Sequence, residues 1–325
     1  MLLLTRSQIV GLLSLDDFRN IVEDAFRRHA RGASFEPALA HVDADEGEFH
    51  IKAGGLRGAT PYFAAKINGG FFQNRFRCGL PNIQGLIVLS RADNGTPLAV
   101  MDSGEITTQR TGAATAVAAK YLARPDSRVC LVCGCGNQGR IQLRALARVL
   151  QFERVFAWSR DKERAAAYSS SMSDELCLSV VPCDEITPAL TRSDVIVTCT
   201  PSRTPLIRRK DVPAGVFIAA VGSDSPAKQE LDPDLVATSK IVADLKTQAV
   251  RVGETHHAVE SGLMKPDQVH AELGDIVAGK LPGRIDSREV IIFDSTGTAL
   301  QDVAAAAAVY EKAREFGVGT EWNPN

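Results

Sequence analysis

One segment in the middle of the chain decides the fold: Ser127-Arg128-Val129-Cys130-Leu131-Val132-Cys133-Gly134-Cys135-Gly136-Asn137-Gln138-Gly139-Arg140. An apolar run leads into the pattern Gly-x-Gly-x-x-Gly, which opens a segment with helical character. Gly134 permits the tight turn after the strand, Gly136 lets the backbone approach a pyrophosphate, and Gly139 lets the helix pack closely on the sheet. The pattern predicts a site for a dinucleotide.

The context of the three glycines distinguishes this site from a purely structural turn. A second apolar run, 154–158, follows at the distance expected for the next strand of a βαβ unit of about 30 residues. Asn137 and Gln138 open the intervening helix, whose unpaired N–H groups and partial positive charge favour phosphate. The chain is therefore expected to be an α/β protein with a Rossmann dinucleotide-binding domain.

The residues that follow the second strand bear on which dinucleotide is bound. Ser159 and Arg160 stand where an acidic residue would accept hydrogen bonds from the ribose of NAD. A small hydroxyl followed by arginine leaves room and positive charge for a 2′-phosphate, so NADP(H) is favoured over NAD(H). The alternative is that the strand ends two residues later, which would make Asp161 the ribose ligand and favour NAD.

Composition limits the classes of protein to which the chain can belong. It has 325 residues, of which 45% are hydrophobic, which is enough for a substantial core and two domains. The net charge of −2 argues against a nucleic-acid partner. No apolar run approaches the roughly 20 residues of a membrane span. The N-terminus also lacks the apolar core of a signal peptide, so we expect a cytoplasmic protein with no membrane partner.

The cysteines and a histidine pair raise the question of a metal site. Seven cysteines are scattered through the chain, as expected for reduced thiols. Cys130 and Cys133 would lie on opposite faces of one strand and could not both reach one ion. His256-His257 lacks an accompanying carboxylate–histidine helix motif. No metal site is predicted.

The remaining pattern divides the chain into two domains. A helix is predicted at 15–30, strands at 49–52, 62–67 and 84–89, and a hairpin whose turn is 93–96. An alanine-rich helix then runs from the region of Glu105 to Leu122, and apolar strands follow at 193–199, 216–221, 240–244 and 290–293. The last helix, 301–316, is expected to return to the first domain. The predicted domains are residues 1–117 with 301–325, an α+β domain for substrate binding and dimerisation, and residues 118–300, the Rossmann domain.

Candidate functional residues follow the predicted strands, because ligands of parallel sheets bind beyond the carboxyl ends of the strands. The alternative is that these side chains only cap helices or form turns. The candidates at these ends are Thr200, Pro201, Val221, Gly222, Ser223, Asp224, Ser295, Thr296 and Gly297.

Three basic residues are candidates in the first domain. Lys66 closes an apolar strand, where burial would lower the pKa of its ammonium group into a range useful for acid–base chemistry. Lys52 ends the preceding strand, and Arg110 opens the alanine-rich helix just before Thr111. Both could bind a carboxylate. The alternative for all three is an ordinary solvent-exposed charge.

These features occur together in one known family. The chain resembles the ornithine cyclodeaminase/mu-crystallin family, which includes archaeal-type alanine dehydrogenases and ketimine reductases. The resemblance covers nearly the whole chain, and it rests on Ala65-Lys66, Gly79-Leu80-Pro81-Asn82-Ile83-Gln84-Gly85, Gly95-Thr96-Pro97-Leu98-Ala99, Arg110-Thr111-Gly112-Ala113-Ala114, the glycine loop, Gly222-Ser223-Asp224-Ser225-Pro226-Ala227-Lys228 and Phe293-Asp294-Ser295-Thr296-Gly297.

The resemblance implies a homodimer formed through the N-terminal domain and an active site in the cleft between the domains. It implies that Lys66 is the catalytic or substrate-binding lysine, that Arg110 binds the substrate carboxylate or the nearby cofactor, and that Asp224 stands beside the reacting carbon. The cofactor residues it implies are Arg110, Thr111, Gly134, Gly136, Asn137, Gln138, Gly139, Ser159, Arg160, Thr200, Pro201, Val221, Gly222, Ser223 and Ser295, and the substrate residues are Lys52, Lys66, Arg110, Thr296 and Gly297.

Two departures from the family pattern affect the predicted activity. Many relatives carry an arginine in the segment corresponding to 37–40, where this chain is apolar, and Lys52 could supply the missing charge. Ser159-Arg160 replaces the acid of the cyclodeaminase members. The sequence therefore predicts reduction of a 2-imino acid to an L-amino acid with NAD(P)H. The alternatives are an ornithine cyclodeaminase-type ammonia lyase and a mu-crystallin-like binding protein regulated by NADP.

Overall fold

The chain folds into two compact units, which a computed structural model describes for residues 1–323. The first unit consists of Met1–Arg110 and the C-terminal stretch that begins at Thr298, and the second unit is Thr111–Gly297. The sequence predicts domain boundaries after residues 117 and 300, so the compact units divide seven and three residues earlier. One boundary falls inside a long helix and the other just before one, where the residue pattern has no linker to mark it.

The elements are numbered in chain order. Up to Leu122 they are β1 Leu2–Leu4, α1 Arg6–Ile9, α2 Leu15–Ala30, β2 Ala38–Ala44, β3 Gly47–Leu56, β4 Tyr62–Gly70, α3 Asn74–Arg77, β5 Ile83–Arg91, β6 Pro97–Asp102 and α4 Ser103–Leu122. From Val129 to Asp294 they are β7 Val129–Cys133, α5 Asn137–Leu146, β8 Arg154–Trp158, α6 Lys162–Leu176, β9 Val180–Pro182, α7 Ile186–Leu190, β10 Val195–Thr198, β11 Arg203–Ile207, β12 Phe217–Ala220, β13 Gln229–Leu231, α8 Pro233–Ala237, β14 Lys240–Ala243, α9 Lys246–Val252, α10 Glu254–Glu260, β15 Ala271–Glu272, α11 Leu273–Val277 and β16 Ile291–Asp294. The last two are α12 Ala299–Phe316 and β17 Thr320–Glu321.

The first unit is built on a mixed seven-stranded sheet in the order β17-β1-β6-β5-β4-β3-β2. Strands β2 to β6 pair in antiparallel sequence, whereas β1 pairs with β6 in parallel. Helices α2 and α12 pack against each other, and α12 also packs on β3 and β4. The buried side chains of β4 and β5 alternate with exposed ones, because successive residues of a strand point to opposite faces.

The second unit is built on an eight-stranded parallel sheet in the order β15-β14-β16-β12-β10-β7-β8-β9. Every residue of β10, β12 and β16 is buried, as expected for parallel strands with both faces covered. The chain passes from β7 to β8 on one side and later returns to β10 on the other side of β7. The point between β7 and β10 is therefore the topological switch at which ligands of such sheets bind.

The structure confirms the predicted fold class and the main elements. Helix α2 has the predicted bounds, and the hairpin of β5 and β6 turns through the predicted loop. The sequence suggested that Arg110 opens the alanine-rich helix. This is wrong, because α4 begins seven residues earlier, at Ser103. None of the helices within residues 1–323 combines the length and apolar character needed to cross a membrane.

Candidate active site

The glycine loop joins β7 to α5 at the topological switch. Gly134 has a φ of +119°, a conformation that side chains of L-residues rarely adopt. A Cβ added to Gly139 would lie 2.0 Å from the carbonyl oxygen of Gly134, so the turn closes only because both positions are glycine. A Cβ added to Gly136, in contrast, would meet no atom within 4 Å. The loop therefore leaves open space before the N-terminus of α5, where a pyrophosphate would bind.

Strand β8 ends at Trp158, so Ser159 and Arg160 follow the strand as the sequence predicts. Asp161 is the N-cap of α6, and its Oδ1 accepts a hydrogen bond from the backbone N–H of Arg164 at 3.1 Å. This capping bond engages one oxygen of the carboxylate that the alternative interpretation assigned to the ribose. Arg160 is exposed beside it.

The thiols near the loop are buried. Cys130 and Cys133 are both 0% exposed within the apolar core of the sheet. Burial raises the pKa of each thiol well above its ordinary value, because the charged thiolate is poorly solvated there. Both residues therefore act as small apolar side chains.

Glu230 connects two of the predicted cofactor segments. Its Oε1 accepts hydrogen bonds from the backbone N–H and the hydroxyl of Thr200, both at 2.6 Å. Its Oε2 accepts from the backbone N–H of Gly222 at 3.0 Å. Thr200 and Gly222 follow β10 and β12, which are neighbours in the sheet. One buried carboxylate thus fixes both loops at the carboxyl edge of the sheet.

Further buried carboxylates hold the loops around Glu230. Glu254 accepts hydrogen bonds from the backbone N–H groups of Glu230 and Leu231, and Asp294 accepts from those of Glu254 and Thr255. Burial raises the pKa of Glu230 to about 7, although its hydrogen bonds to Thr200 and Gly222 act in the opposite direction. Burial also raises the pKa of Asp294 to about 6. These groups are structural supports at the edge of the sheet.

The third predicted segment, after β16, is held by Asp244. The hydroxyl of Thr296 donates to Asp244 Oδ1 at 2.8 Å, and the backbone N–H of Gly297 donates to Oδ2 at 2.6 Å. Thr296 is 2% exposed, and the neighbouring Ser295 is 3% exposed with a hydroxyl that makes no hydrogen bond to the described residues. Asp244 therefore fixes the positions of Thr296 and Gly297, and the side chains of Ser295 and Thr296 are buried.

The segment Gly222-Ser223-Asp224 after β12 contains one buried and one partly exposed polar side chain. The Ser223 hydroxyl donates to the backbone carbonyl of Lys228 at 2.8 Å. The single O–H donor of Ser223 is therefore already engaged. Asp224 Oδ1 lies 2.6 Å from Lys228 Nζ, and the Asp224 side chain is 36% exposed.

The basic residues of the first unit form a buried cluster. Lys52 on β3 is paired directly with Lys66 on β4, so both side chains point to the same face of the sheet. Lys66 is 2% exposed and Lys52 is 5% exposed, which excludes the interpretation of these residues as ordinary surface charges. Lys66 Nζ lies 2.7 Å from Oδ2 of Asp302 on α12, whose residue is 1% exposed.

Arg110 completes the cluster from α4. Its Nε lies 3.0 Å from Asp302 Oδ1, and its Nη1 donates to Gln301 Oε1 at 2.9 Å. Burial and the positive charge of Arg110 lower the pKa of Lys66 to about 7, against the opposing effect of Asp302. Burial disfavours the charged form of Asp302, but Lys66 and Arg110 outweigh it and hold the pKa of that carboxyl below its usual range.

Sequence reasoning missed the carboxylates that support these sites. Asp302 and Gln301 are both buried in α12, although the sequence analysis treated that helix only as an alanine-rich connection to the first domain. The available signal was a Gln-Asp pair in the first turn of the helix, directly before the apolar run 303–309. Glu230 and Asp244 had no comparable signal, because isolated acidic residues are usually exposed.

The whole chain is similar to known proteins of one family. Residues 1–317 match the model of the ornithine cyclodeaminase/mu-crystallin family. An archaeal alanine dehydrogenase dimer with bound NAD superposes with a TM-score of 0.94 at 38% identity, over 100% of this chain and 99% of that one. A second similar structure is the Δ1-pyrroline-2-carboxylate reductase of Thermococcus litoralis in complex with NADH and L-proline. It superposes with a TM-score of 0.95 at 32% identity, over 99% of this chain and 100% of that one.

A bacterial relative carries the same fold. The iminosuccinate reductase of Paracoccus denitrificans, in complex with NAD⁺, superposes with a TM-score of 0.90 at 36% identity and covers 99% of each chain. The match to the family extends from the first strand through the glycine loop to the end of α12. The chain belongs to the ornithine cyclodeaminase/mu-crystallin family.

Proposed function

We propose that this protein is an NAD(P)H-dependent oxidoreductase that reduces a 2-imino acid to an L-amino acid. The observation that carries the proposal is the buried cluster of Lys52, Lys66 and Arg110, whose lysine at position 66 has a pKa near 7. Such a cluster suits an anionic substrate that must accept a proton at nitrogen. Three similar proteins bear the names of an amino-acid dehydrogenase and two imine reductases.

The dinucleotide would be held by the glycine loop and the neighbouring strand ends. The open space at Gly136 and the N-terminus of α5 fit a pyrophosphate. The loops anchored by Glu230 would line the same edge of the sheet. When bound, the nicotinamide supplies the hydride that adds to the imine carbon.

The side chains of the protein would bind the substrate and manage the proton. We assign the substrate carboxylate to Lys52 and Arg110, because both are basic residues of the buried cluster. Lys66 would donate a proton to the imine nitrogen, and Asp302 would hold the Lys66 ammonium group in position at 2.7 Å. Asp224, Thr296 and Gly297 are proposed as further substrate contacts. The net change is one hydride to carbon and one proton to nitrogen.

A direct assay tests the reaction class. Purified protein is mixed with NADPH or NADH and with iminosuccinate, Δ1-pyrroline-2-carboxylate, pyruvate plus ammonia or pyruvate plus methylamine. We expect absorbance of the reduced cofactor to fall with at least one of these substrates and the matching amino acid to form. Ammonia release from ornithine without net consumption of cofactor would instead indicate the lyase reaction, and no turnover with tight binding of NADP would indicate a binding protein.

We further propose that NADP(H) is preferred over NAD(H), on the evidence of the residues after β8. Ser159 and Arg160 offer space and positive charge for a 2′-phosphate, whereas Asp161 is used as a helix cap. Replacing Arg160 by glutamine is expected to raise KM for NADPH at least about tenfold with little change for NADH, because only the phosphate loses its partner. Arg164→Gln is the control, because it removes a nearby positive charge on α6. It should leave the ratio of KM for NADPH to KM for NADH unchanged. Equal KM values for both cofactors in the wild type would contradict the preference.

A homodimer formed through the first unit is the third part of the proposal. The face of its sheet opposite Lys66 exposes a group of large apolar side chains, which includes Phe49, Phe63, Ile67, Leu86 and Val88. Exposed apolar faces of this kind usually mark an interface. We expect light scattering to give twice the chain mass of 34.9 kDa and Ile67→Glu to give monomer. Leu263→Glu is the control, because Leu263 is an equally exposed apolar residue of the second unit.

A further inference from the structure

Strands β2 and β3 bring together two histidines and two carboxylates that the proposed reaction does not use. His41 is paired directly with His50, and Asp43 with Glu48, in the antiparallel register of the hairpin. Because paired residues and residues two apart on a strand share a face, all four side chains project on the same side of the hairpin. Imidazole nitrogens and carboxylate oxygens are thereby concentrated at one place.

The distances within this group are short. His50 Nε2 lies 3.2 Å from Glu48 Oε1, and His41 Nε2 lies 3.8 Å from Glu48 Oε2 and 2.9 Å from Asp43 Oδ1. One potential ligand atom from each of His41, Glu48 and His50 lies within 4.8 Å of the others. A tetrahedral ion that binds nitrogen and oxygen at about 2.0–2.2 Å holds its ligands roughly 3.3 Å apart. Small side-chain rotations would therefore place the three groups around one ion.

His50 supplies an independent reason to expect a ligand. The residue is 8% exposed, and neither of its ring nitrogens makes a hydrogen bond of acceptable geometry among the described residues. Buried polar groups in folded proteins are nearly always satisfied, and an exception calls for an unseen partner. A metal ion bound at Nε2 would supply that partner.

A second cluster in the protein shows how histidines look when they already have partners. His256, His257 and Glu260 on α10 also lie close together. However, His257 Nε2 lies 2.7 Å from the carbonyl oxygen of Lys228, and His256 Nδ1 lies 3.3 Å from that of Val250. The Glu260 side chain is 72% exposed. Both histidines therefore already have backbone carbonyl partners.

We propose that His41, Glu48 and His50 bind one divalent transition-metal ion of the zinc class. Two imidazoles and one carboxylate favour zinc, nickel or copper over magnesium and calcium, which prefer oxygen ligands. Asp43 lies close enough to supply a fourth ligand. Lys52 follows His50 by two residues on the same face of β3, so the bound ion would add positive charge beside the basic cluster. The site is separate from the proposed reductase chemistry, which requires no metal.

Calorimetric titration of the untagged, chelator-treated full-length chain with zinc chloride tests the proposal. We expect one ion bound per chain, and at least about tenfold weaker binding in His41→Ala and in His50→Gln. His257→Ala is the matched control and should bind zinc like the wild type. His41 is a safe position for substitution, because 26% of its side chain is exposed.

Thiols are the competing zinc ligands in this chain, since Cys78 and Cys177 are exposed. The titration is therefore repeated in a Cys78→Ser/Cys177→Ser background, and cobalt replaces zinc in a parallel absorption measurement. Retained binding and a cobalt spectrum without thiolate charge-transfer bands support the site. The proposal is overturned by a lack of binding, by binding that His41→Ala and His50→Gln leave unchanged, by binding lost with the two cysteines, or by equal affinity for magnesium.

Discussion

Replacing Lys66 by methionine is expected to lower kcat/KM for imine reduction about a thousandfold, which is within the range that a positioned general acid contributes. Methionine keeps most of the volume of the lysine stem but cannot donate a proton. The effect is measured as the rate at which NAD(P)H absorbance falls, in stopped-flow or steady-state experiments. Lys312→Met is the control, because the Lys312 side chain on α12 is 35% exposed, and it should retain wild-type activity. A Lys66→Met protein with more than a tenth of wild-type kcat/KM would exclude Lys66 as the acid.

The pH profile distinguishes a proton donor from a residue that only binds. Burial and the charge of Arg110 lower the pKa of Lys66 to about 7. Reduction requires the protonated ammonium, so kcat/KM for reduction should be constant at low pH and fall about tenfold per pH unit as pH rises above 7. Oxidation of the amino acid requires the neutral amine and should show the opposite dependence. The residual activity of Lys66→Met should no longer fall above pH 7. If Lys66 has only a structural role, the variant should keep the pH profile of the wild type at a lower activity.

Replacing Asp302 by alanine is expected to reduce the free energy of unfolding by about 3–5 kcal/mol, because it leaves Lys66 and Arg110 buried without their carboxylate. The expected fall in Tm is of the order of 10 °C. Differential scanning calorimetry or urea unfolding measures the change. An Asp302→Ala protein with wild-type stability would show that the carboxylate does not compensate the charges of this cluster.

A double substitution separates charge compensation from simple packing. If Asp302 stabilises chiefly by offsetting the positive charge of Lys66, then Lys66→Met/Asp302→Asn should be less destabilised than the sum of the two single variants by at least about 1 kcal/mol. Additive losses would instead mean that each side chain contributes only its own packing. The Asp302→Asn single variant is nearly isosteric, so it remains the better choice if Asp302→Ala does not fold.

Most of the fold could be predicted from local sequence patterns, because each of these patterns depends only on residues that are close together in the chain. The apolar runs at β7, β8, β10, β12 and β16, the Asp93-Asn94-Gly95-Thr96 turn and the glycine loop each depend on neighbours in the chain. The boundaries of the units were less predictable. Both unit boundaries lie within or beside the helices α4 and α12, and helical periodicity does not change there.

The sequence predicted the basic and glycine residues of the candidate site but not the buried carboxylates that hold them in place. The motif residues Lys66, Arg110 and Gly139 could be named from the sequence, although Lys66 lies within β4 and does not close the strand as predicted. Asp302 could not, because its pairing with Lys66 joins residues 236 positions apart through the packing of α12 on β4. Only that packing decides that Lys66 is buried, and hence that its pKa lies near 7.

The sequence by itself determined the family, the parallel sheet and the position of the glycine loop, because each depends on short-range patterns of glycine and apolar residues. The tertiary structure alone decided which polar groups are paired. Glu230 joins the loops after β10 and β12, and Asp161 caps α6. The physical reason is that charge compensation and desolvation depend on distances in space, which the spacing of residues along the chain does not encode.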